Sequence, residues 1–205
     1  MKIFNTHSGT KEDFIPLNPN HIKIYACGPT VYNYAHIGNA RMAVVFDTLD
    51  RVLRDSYPKV TYVSNITDID DKIIDAANEL KVSIEEITQK YTNIYNDDMS
   101  KLLVKAPDMQ PKATEYIPEM ITLIGDLIEK NHAYKKDGHV LFHVPSYENY
   151  GSLSKRNREE QIAGSRVEIA PFKKDPADFV LWKPSNHKQP GWDSPWGYGR
   201  PGWHT

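Results

Sequence analysis

The sequence contains a single cysteine, Cys27, among 205 residues. One cysteine cannot form a disulfide within the chain, so the sequence offers no support for an oxidising compartment. Residues 1–14 lack the apolar core and the small-residue cleavage site of a signal peptide. No stretch approaches the roughly 20 apolar residues that a membrane span requires. These absences predict a soluble, cytoplasmic protein.

A strong excess of one charge is also missing. The chain has 25 Lys and Arg against 27 Asp and Glu, so attraction of the whole chain to nucleic acid is weak, although a local basic patch stays possible. Lys155, Arg156 and Arg158 form such a cluster, which a solvated basic face explains equally well. With 40% hydrophobic residues, the chain can bury a core and hold one domain or two small ones.

The stretch at residues 22–39, IKIYACGPTVYNYAHIGN, organises the first half of the chain. It begins as an alternating strand, breaks at Gly28 and Pro29, and continues into a helix predicted over residues 38–54. The polar side of this helix is predicted to hold two ion pairs, Asp47 with Arg51 and Asp50 with Arg54. Its apolar side is predicted to consist of Met42, Val45, Phe46, Leu49, Val52 and Leu53.

A second strand is predicted at residues 60–66, and a helix follows the TDIDD segment at residues 67–71. Strand, helix, strand and helix in this order predict a right-handed parallel unit. Ser83 and Glu86 form a predicted capping box for the next helix. An N-terminal hairpin is predicted from strands at residues 2–4 and 14–17.

The chain changes character after Pro107 and Pro111. Residues 1–112 are interpreted as the first half of a doubly wound parallel sheet, and residues 113–193 as a separate α+β piece. The predicted elements of that piece are a helix at residues 113–131, a hairpin with its turn at residues 135–138, a strand at residues 179–182 and a long loop after Pro184.

His36, Gly38 and Asn39 lie where the first strand gives way to a helix. A helix N-terminus offers unpaired N–H groups and a positive dipole end, and two side-chain donors there suit a phosphate whose charge changes during a reaction. Gly38 would let a ligand approach the backbone closely. A tight turn with one satisfied histidine explains the same residues without any ligand.

Cys27 and Thr67 end the two predicted strands. Cys27 is open to three interpretations: a buried small hydrophobe, a nucleophile with His36 as its base, or one ligand of a soft metal without a CxxC or HxxxH partner. Thr67 belongs to a helix-capping segment. If the strands are parallel, Thr67 lies on the same edge of the sheet as Gly28 and can reach the same cleft.

Five segments, spread over nearly the whole chain, carry a family resemblance: KIFNT, CGPTVYNYAHIGNAR, NITDIDDKII, DFVLWKPS and SPWGYGRPGWH. Together they resemble the cysteinyl-tRNA synthetases, a family of class I aminoacyl-tRNA synthetases. The resemblance implies a Rossmann-like doubly wound sheet with an inserted α+β connective domain. Residues 113–193 would be that insertion, and residues 194–205 the return to the catalytic domain.

The resemblance also implies a reaction in two steps. Cysteine and Mg-ATP would give cysteinyl-adenylate and pyrophosphate, and the cysteinyl group would then pass to the 3′ end of tRNA(Cys). His36, Gly38 and Asn39 match the family's signature that binds the ATP phosphates and stabilises the transition state. The family usually has histidine at the position of Asn39, so we expect a changed contribution there. A monomer is expected.

By the same resemblance, Cys27 is the first of four ligands to one zinc ion per subunit. Gly28, Thr30, Thr67 and Trp203 would line the cysteine pocket. A steric pocket distinguishes cysteine from serine only ~10²-fold, whereas an open position on zinc can select the substrate thiolate by its softness.

Family members are more than twice as long as this chain. The other zinc ligands (a Cys, a His and a Glu) and the Lys-Met-Ser-Lys-Ser loop of the ATP site are expected after residue 205, so we interpret the chain as a fragment of the enzyme. Two alternatives stay open. One is a related ligase that joins cysteine to an amino sugar, and the other is a non-catalytic module that binds nucleotide or tRNA.

Overall fold

The computed structural model describes residues 1–155, 171–186 and 189–205. It contains two compact units, one formed by Ile15–Tyr116 and the other by Met1–Phe14 with Ile117–Thr205. In chain order the strands and α-helices are β1 (Lys2–Asn5), β2 (Thr10–Asp13), β3 (Ile22–Ala26), α1 (Ile37–Ser56), β4 (Val60–Ser64), α2 (Asp71–Leu80), α3 (Ile84–Lys101), α4 (Ile117–Glu129), β5 (Ala133–Lys136), β6 (His139–Phe142), β7 (Phe179–Pro184) and β8 (Gly199–Pro201).

The unit Ile15–Tyr116 is built on a parallel pair of strands. β3 and β4 run in register from Ile22 beside Val60 to Ala26 beside Ser64, and α1 connects them. This confirms the predicted parallel β-α-β-α order and the α/β fold class. The helices after β4 close a core formed by Val31, Ile66, Ile73, Ala77, Ile87 and Tyr91.

The orientation of α1 differs from the prediction. Val45 and Val52, placed on the buried side, are 57% and 44% exposed. Asp47 and Asp50, placed on the polar side, are 8% and 3% exposed. Of the six predicted apolar positions, Leu53 alone is buried, while Met42, Phe46 and Leu49 are half-buried.

Hydrogen bonds explain why the two carboxylates lie inward. Asp47 accepts from the Arg51 guanidinium at 2.8 Å and from the Lys105 backbone N–H at 3.1 Å. Asp50 accepts from the Arg54 guanidinium at 2.7 Å. Both predicted ion pairs are therefore confirmed. Asp47 also tethers the segment that follows α3, a function that a helix-periodicity argument cannot detect.

Asp108 holds the same segment against β4. Its carboxylate accepts from the Tyr62 backbone N–H at 2.7 Å and also from Arg54, the partner of Asp50. The Tyr62 N–H, together with the Arg54 guanidinium, lowers the pKa of Asp108 below its usual value. The attachment of this segment to β4 therefore depends on an ionised Asp108 carboxylate.

The second unit is centred on an antiparallel sheet in the order β5-β6-β7-β8. The predicted β5–β6 hairpin is confirmed, with a two-residue turn at Asp137 and Gly138 in which both residues have positive φ. The predicted helix at 113–131 is in fact a 3₁₀ turn, Ala113–Tyr116, followed by α4. α4 and the sheet enclose a core that includes Ile117, Ile124, Ala133, Val140, Leu181 and Trp182.

Two further predictions need correction. The second strand of the N-terminal hairpin is Thr10–Asp13 and not residues 14–17, because β1 pairs with β2 across a shorter turn. The segment after Pro184, predicted as a loop, contains β8, which pairs with β7 through Trp182 and Pro201. Pro201 is compatible with β8 because that strand lies at the edge of the sheet.

Some predictions have partial outcomes. Ser83 accepts from the Glu86 N–H and caps α3, which is one half of the predicted capping box. The basic cluster has Lys155 within the described residues, whereas Arg156 and Arg158 lie outside them. None of the helices in the described ranges is long and apolar enough to cross a membrane.

We predict that Asp108→Asn destabilises the protein at neutral pH but not in acid. A carboxylate with a lowered pKa stabilises the fold above its unfolded-state pKa, about 3.8, and this contribution is lost as the pH falls through the folded-state value. Urea unfolding should show a lower midpoint for the variant at pH 7 and a smaller difference near pH 3.

The matched control is Asp97→Asn, because Asp97 forms an exposed ion pair with Lys101 within α3. Exposed pairs of this kind contribute little, so its midpoint should stay close to that of the wild type. Equal midpoints for Asp108→Asn and wild type at pH 7 would show that the attachment of the segment after α3 does not depend on the Asp108 carboxylate.

Candidate functional site

The candidate site lies at the carboxyl ends of β3 and β4. Beyond the two strands the backbones stay in contact, because Thr30 and Thr67 form a parallel bridge. The Thr67 N–H donates to the Pro29 carbonyl at 3.0 Å, and the Val31 N–H donates to the Thr67 carbonyl at 3.2 Å. Thr67 therefore lies on the same edge as the Gly28 turn, where open α/β sheets bind their ligands.

Gly28 is required by the close approach of two backbone segments. Its N–H donates to the Asn65 side-chain oxygen at 2.9 Å. A Cβ on Gly28 would lie only 1.6 Å from the Asn65 carbonyl oxygen, which leaves no space for any side chain. The glycine thus has a structural function that is independent of any ligand.

Asn65 is a site residue that the sequence interpretation missed. Besides accepting from Gly28, its amide donates to the Thr67 hydroxyl at 3.4 Å. The available signal was its position, since it is the first polar residue after the strand VTYVS. Asn65 links the two strand ends and orients Thr67.

Cys27 follows β3 directly and is an exposed, free thiol. The interpretation of Cys27 as a buried small hydrophobe is therefore wrong. Across the described residues, no group of three or more His, Cys, Asp or Glu side chains is arranged to hold a metal ion. The donor set present does not form a zinc centre, because Cys27 supplies one ligand where zinc needs three or four.

His36 caps α1. Its Nδ1 accepts from the Gly38 N–H at 3.1 Å, while the Asn39 side-chain oxygen accepts from the His36 N–H at 3.0 Å. These two bonds form a reciprocal capping box. Because the Nδ1 lone pair is engaged, the neutral imidazole has its proton on Nε2, and this N–H is a donor that the cap does not use.

Unpaired backbone N–H groups were expected at the N-terminus of α1, but the capping box engages one of them. The Gly38 N–H is already engaged with His36. What a ligand can use are the His36 Nε2–H and the Asn39 side-chain NH₂. Gly38 also makes room for the cap, because a Cβ there would lie 2.8 Å from His36 Cε1.

Trp203 belongs to the other unit. It is 66% exposed and contacts His204 edge-on at 4.7 Å between ring centroids. The preceding Gly202 donates its N–H to the Leu181 carbonyl at 2.7 Å, which attaches the segment to β7. The expected place of Trp203 in an amino-acid pocket stays a prediction.

Solved structures resemble this chain in fold. Mycobacterium tuberculosis methionyl-tRNA synthetase in complex with methionyl-adenylate aligns with a TM-score of 0.51 over 56% of this chain and 23% of its own, at 15% identity. At that identity the similarity supports the fold alone, which is the Rossmann-like α/β fold predicted from the sequence.

Curated relatives are much closer in sequence. The cysteine--tRNA ligase of Parvibaculum lavamentivorans is 60% identical over 204 residues, and that of Rhodospirillum rubrum is 57% identical over the same length. Each alignment covers 100% of this chain and 44% of the relative. The chain therefore spans less than half the length of these relatives.

The family of class I (C) tRNA synthetase catalytic domains matches residues 13–205. This range includes every candidate site residue described above. The chain belongs to that family of catalytic domains.

Proposed function

We propose that this chain is part of an enzyme that activates cysteine with ATP and transfers it to tRNA(Cys). The observation that supports this most directly is the 60% identity over 204 residues to a relative named cysteine--tRNA ligase. Because the chain spans 44% of that relative, the complete reaction is proposed for a longer product of the same gene.

In the first step, the carboxylate of cysteine attacks the α-phosphorus of ATP. The bond to the β-phosphate oxygen breaks, and pyrophosphate leaves. We assign the His36 Nε2–H and the Asn39 side-chain NH₂ to the phosphate oxygens on which negative charge accumulates. Donors that are held in place before the reaction stabilise this charge without reorganisation. The capping box supplies that rigidity, because it holds His36 and Asn39 against the backbone of α1.

In the second step, the terminal ribose hydroxyl of the tRNA attacks the acyl carbon, and AMP leaves. The reacting groups must be close in both steps. Cys27–Thr30 and His36–Asn39 both follow β3 at its carboxyl end, which supports a site where an amino acid and a nucleotide meet. We assign Gly28, Thr30 and Thr67 to the cysteine pocket.

We also propose that Cys27 is one of several zinc ligands in the longer product. Its exposed thiol is available for this function. A single protein ligand binds zinc weakly, so the remaining ligands would have to come from outside the described residues.

Two other functions make different predictions. A ligase that joins cysteine to an amino sugar would share the adenylation step but would not transfer cysteine to tRNA. A non-catalytic module would bind nucleotide or tRNA without turnover. The curated relatives named above favour the synthetase.

We predict that cysteine-dependent exchange of pyrophosphate into ATP will occur in the longer gene product, with serine inert. Transfer of cysteine to tRNA should accompany it. Exchange by the longer product alone would identify the 205-residue chain as an incomplete site. Exchange without transfer to tRNA would favour the amino-sugar ligase, and absence of exchange from both products would contradict the proposed function.

We predict that His36→Asp preserves the N-cap of α1 but lowers the exchange activity, because it removes the Nε2–H donor. Aspartate is a good N-cap and accepts from the helix N–H groups, so the unfolding midpoint should not fall. The variant loses the Nε2–H and gains a negative charge beside the phosphates, so exchange should fall by about 10²-fold or more. Exchange within about threefold of wild type would contradict the assigned function of His36.

We predict that Gly28→Ala destabilises the protein by more than about 2 kcal/mol, because its Cβ would collide with the Asn65 carbonyl. The control is Gly125→Ala in α4, where a Cβ meets nothing within 4 Å. Alanine favours the helix there, so the control should be neutral or stabilised by about 0.5–1 kcal/mol. A Gly28→Ala protein as stable as wild type in urea unfolding would show that the backbone approach is not rigid.

A further inference from the structure

The turn of the β5–β6 hairpin forms one side of a small hollow in the second unit. The hollow has a volume of about 190 Å³, and its lining consists of Lys135, Lys136, Asp137, Gly138, His139 and Trp196. Ligand pockets for drug-sized molecules usually measure about 300–1,000 Å³, so this hollow suits one flat group rather than a large free ligand.

The two sides of the hollow are held in place by the fold. Asp137 and Gly138 both have positive φ, as a two-residue hairpin turn requires. The opposite side is Trp196, which packs edge-to-face against the fully buried Trp182 at 6.0 Å between ring centroids. The Lys135 ammonium donates to the Pro195 carbonyl at 3.4 Å, which links the hairpin to the segment that contains Trp196.

The chemistry of the lining is cationic and aromatic. Lys135 and Lys136 are exposed on the hairpin, and Asp137 is the one carboxylate of the lining. His139 stacks on Phe172 with ring centroids 4.1 Å apart and planes 11° apart, which adds a second flat surface next to the hollow. Its Nδ1 is hydrogen-bonded to the Asp137 carbonyl, which fixes the ring.

A cationic rim around an aromatic side chain is the arrangement that binds single-stranded nucleic acid, in which bases stack and lysines contact phosphates. The hollow is shallow and its lysines are exposed, so it cannot retain a small free anion strongly. A nucleotide that belongs to a polymer is held by neighbouring contacts as well. We propose that the hollow binds one unpaired nucleotide of an RNA, with the base stacked on Trp196 and the phosphate between Lys135 and Lys136.

This inference rests on the proposed function for the identity of the polymer, and it extends that function by naming a contact for the single-stranded part of the RNA. The adenylation step needs no RNA. Failure of the nucleotide site and failure of the proposed function are therefore distinguishable, because cysteine-dependent exchange tests the second alone.

The test is fluorescence anisotropy of the full 205-residue chain with a labelled single-stranded RNA of about eight nucleotides, between about 50 and 200 mM salt. In the Lys135→Gln/Lys136→Gln variant, the slope of log K against log salt should become less negative by about 0.7, because the site contacts one phosphate and each lost phosphate contact removes about 0.7. The matched control is Lys11→Gln/Lys130→Gln, two exposed lysines of the same unit, and its slope should equal that of the wild type.

Two single variants test the remaining parts of the site. Asp137→Asn keeps a residue that tolerates positive φ and removes the carboxylate, so RNA should bind about two- to fivefold more tightly. Trp196→Leu keeps an apolar side chain and removes the flat ring, so affinity should fall by about 5- to 100-fold. The unfolding midpoints of both variants are measured alongside.

Several outcomes would overturn the proposal. The wild type could fail to bind the single strand, or a blunt duplex of the same sequence could compete equally well. The hairpin and control pairs could lose the same slope, which would indicate diffuse attraction to the whole surface. Tighter binding by Asp137→Asn together with the slope change in the hairpin pair alone would support it.

Discussion

The close approach of the two strand ends is the constraint on which the rest of the candidate site depends. Gly28 meets the Asn65 carbonyl at a distance that excludes any side chain, and the Asn65 amide joins Gly28 to Thr67. Because backbone hydrogen bonds continue from Thr30 to Thr67 beyond the sheet, the residues on either side of this contact cannot move independently. Cys27 is thereby exposed at the end of β3, and the chain is directed toward the N-terminus of α1.

A second constraint is electrostatic and acts within the same unit. Asp47 and Asp50 of α1 lie inward, and Asp108 extends their network to β4. Removal of carboxylates from water is costly unless each is hydrogen-bonded. Here guanidinium and backbone N–H groups bond to Asp47 and Asp108, and a guanidinium bonds to one oxygen of Asp50, whose other oxygen is buried without a partner among the described residues. The helix is therefore positioned by polar contacts, which explains why its three valines, Val44, Val45 and Val52, face solvent. The capping box of His36 and Asn39 also satisfies backbone groups with side chains, at the start of the helix, and leaves the His36 Nε2–H and the Asn39 side-chain NH₂ outside the cap.

Local sequence signals predicted most of the elements because their causes are local. The alternation at residues 22–26, the β-branched run at residues 60–64 and the Asp137-Gly138 turn each depend on neighbouring residues alone. Errors arose where a partner distant in sequence decides. The inward orientation of Asp47 depends on Lys105, and the strand at Gly199–Pro201 exists because it can pair with β7. For the candidate site, the glycine turn and the helix start were predictable, but Asn65 was not, because its function depends on the distance to Gly28.

By itself, the sequence determined the family and the chemical types of the site residues, since these follow from motifs such as CGPTVY and HIGN, which are read in one dimension. It also determined the parallel order of β3 and β4, because a strand–helix–strand pattern permits few topologies. Only the tertiary structure decided which side of α1 is buried, and that a hairpin turn and Trp196 form one hollow. Each of these depends on distances between residues far apart in the chain, and such distances exist only after packing and hydrogen bonding have brought the segments together.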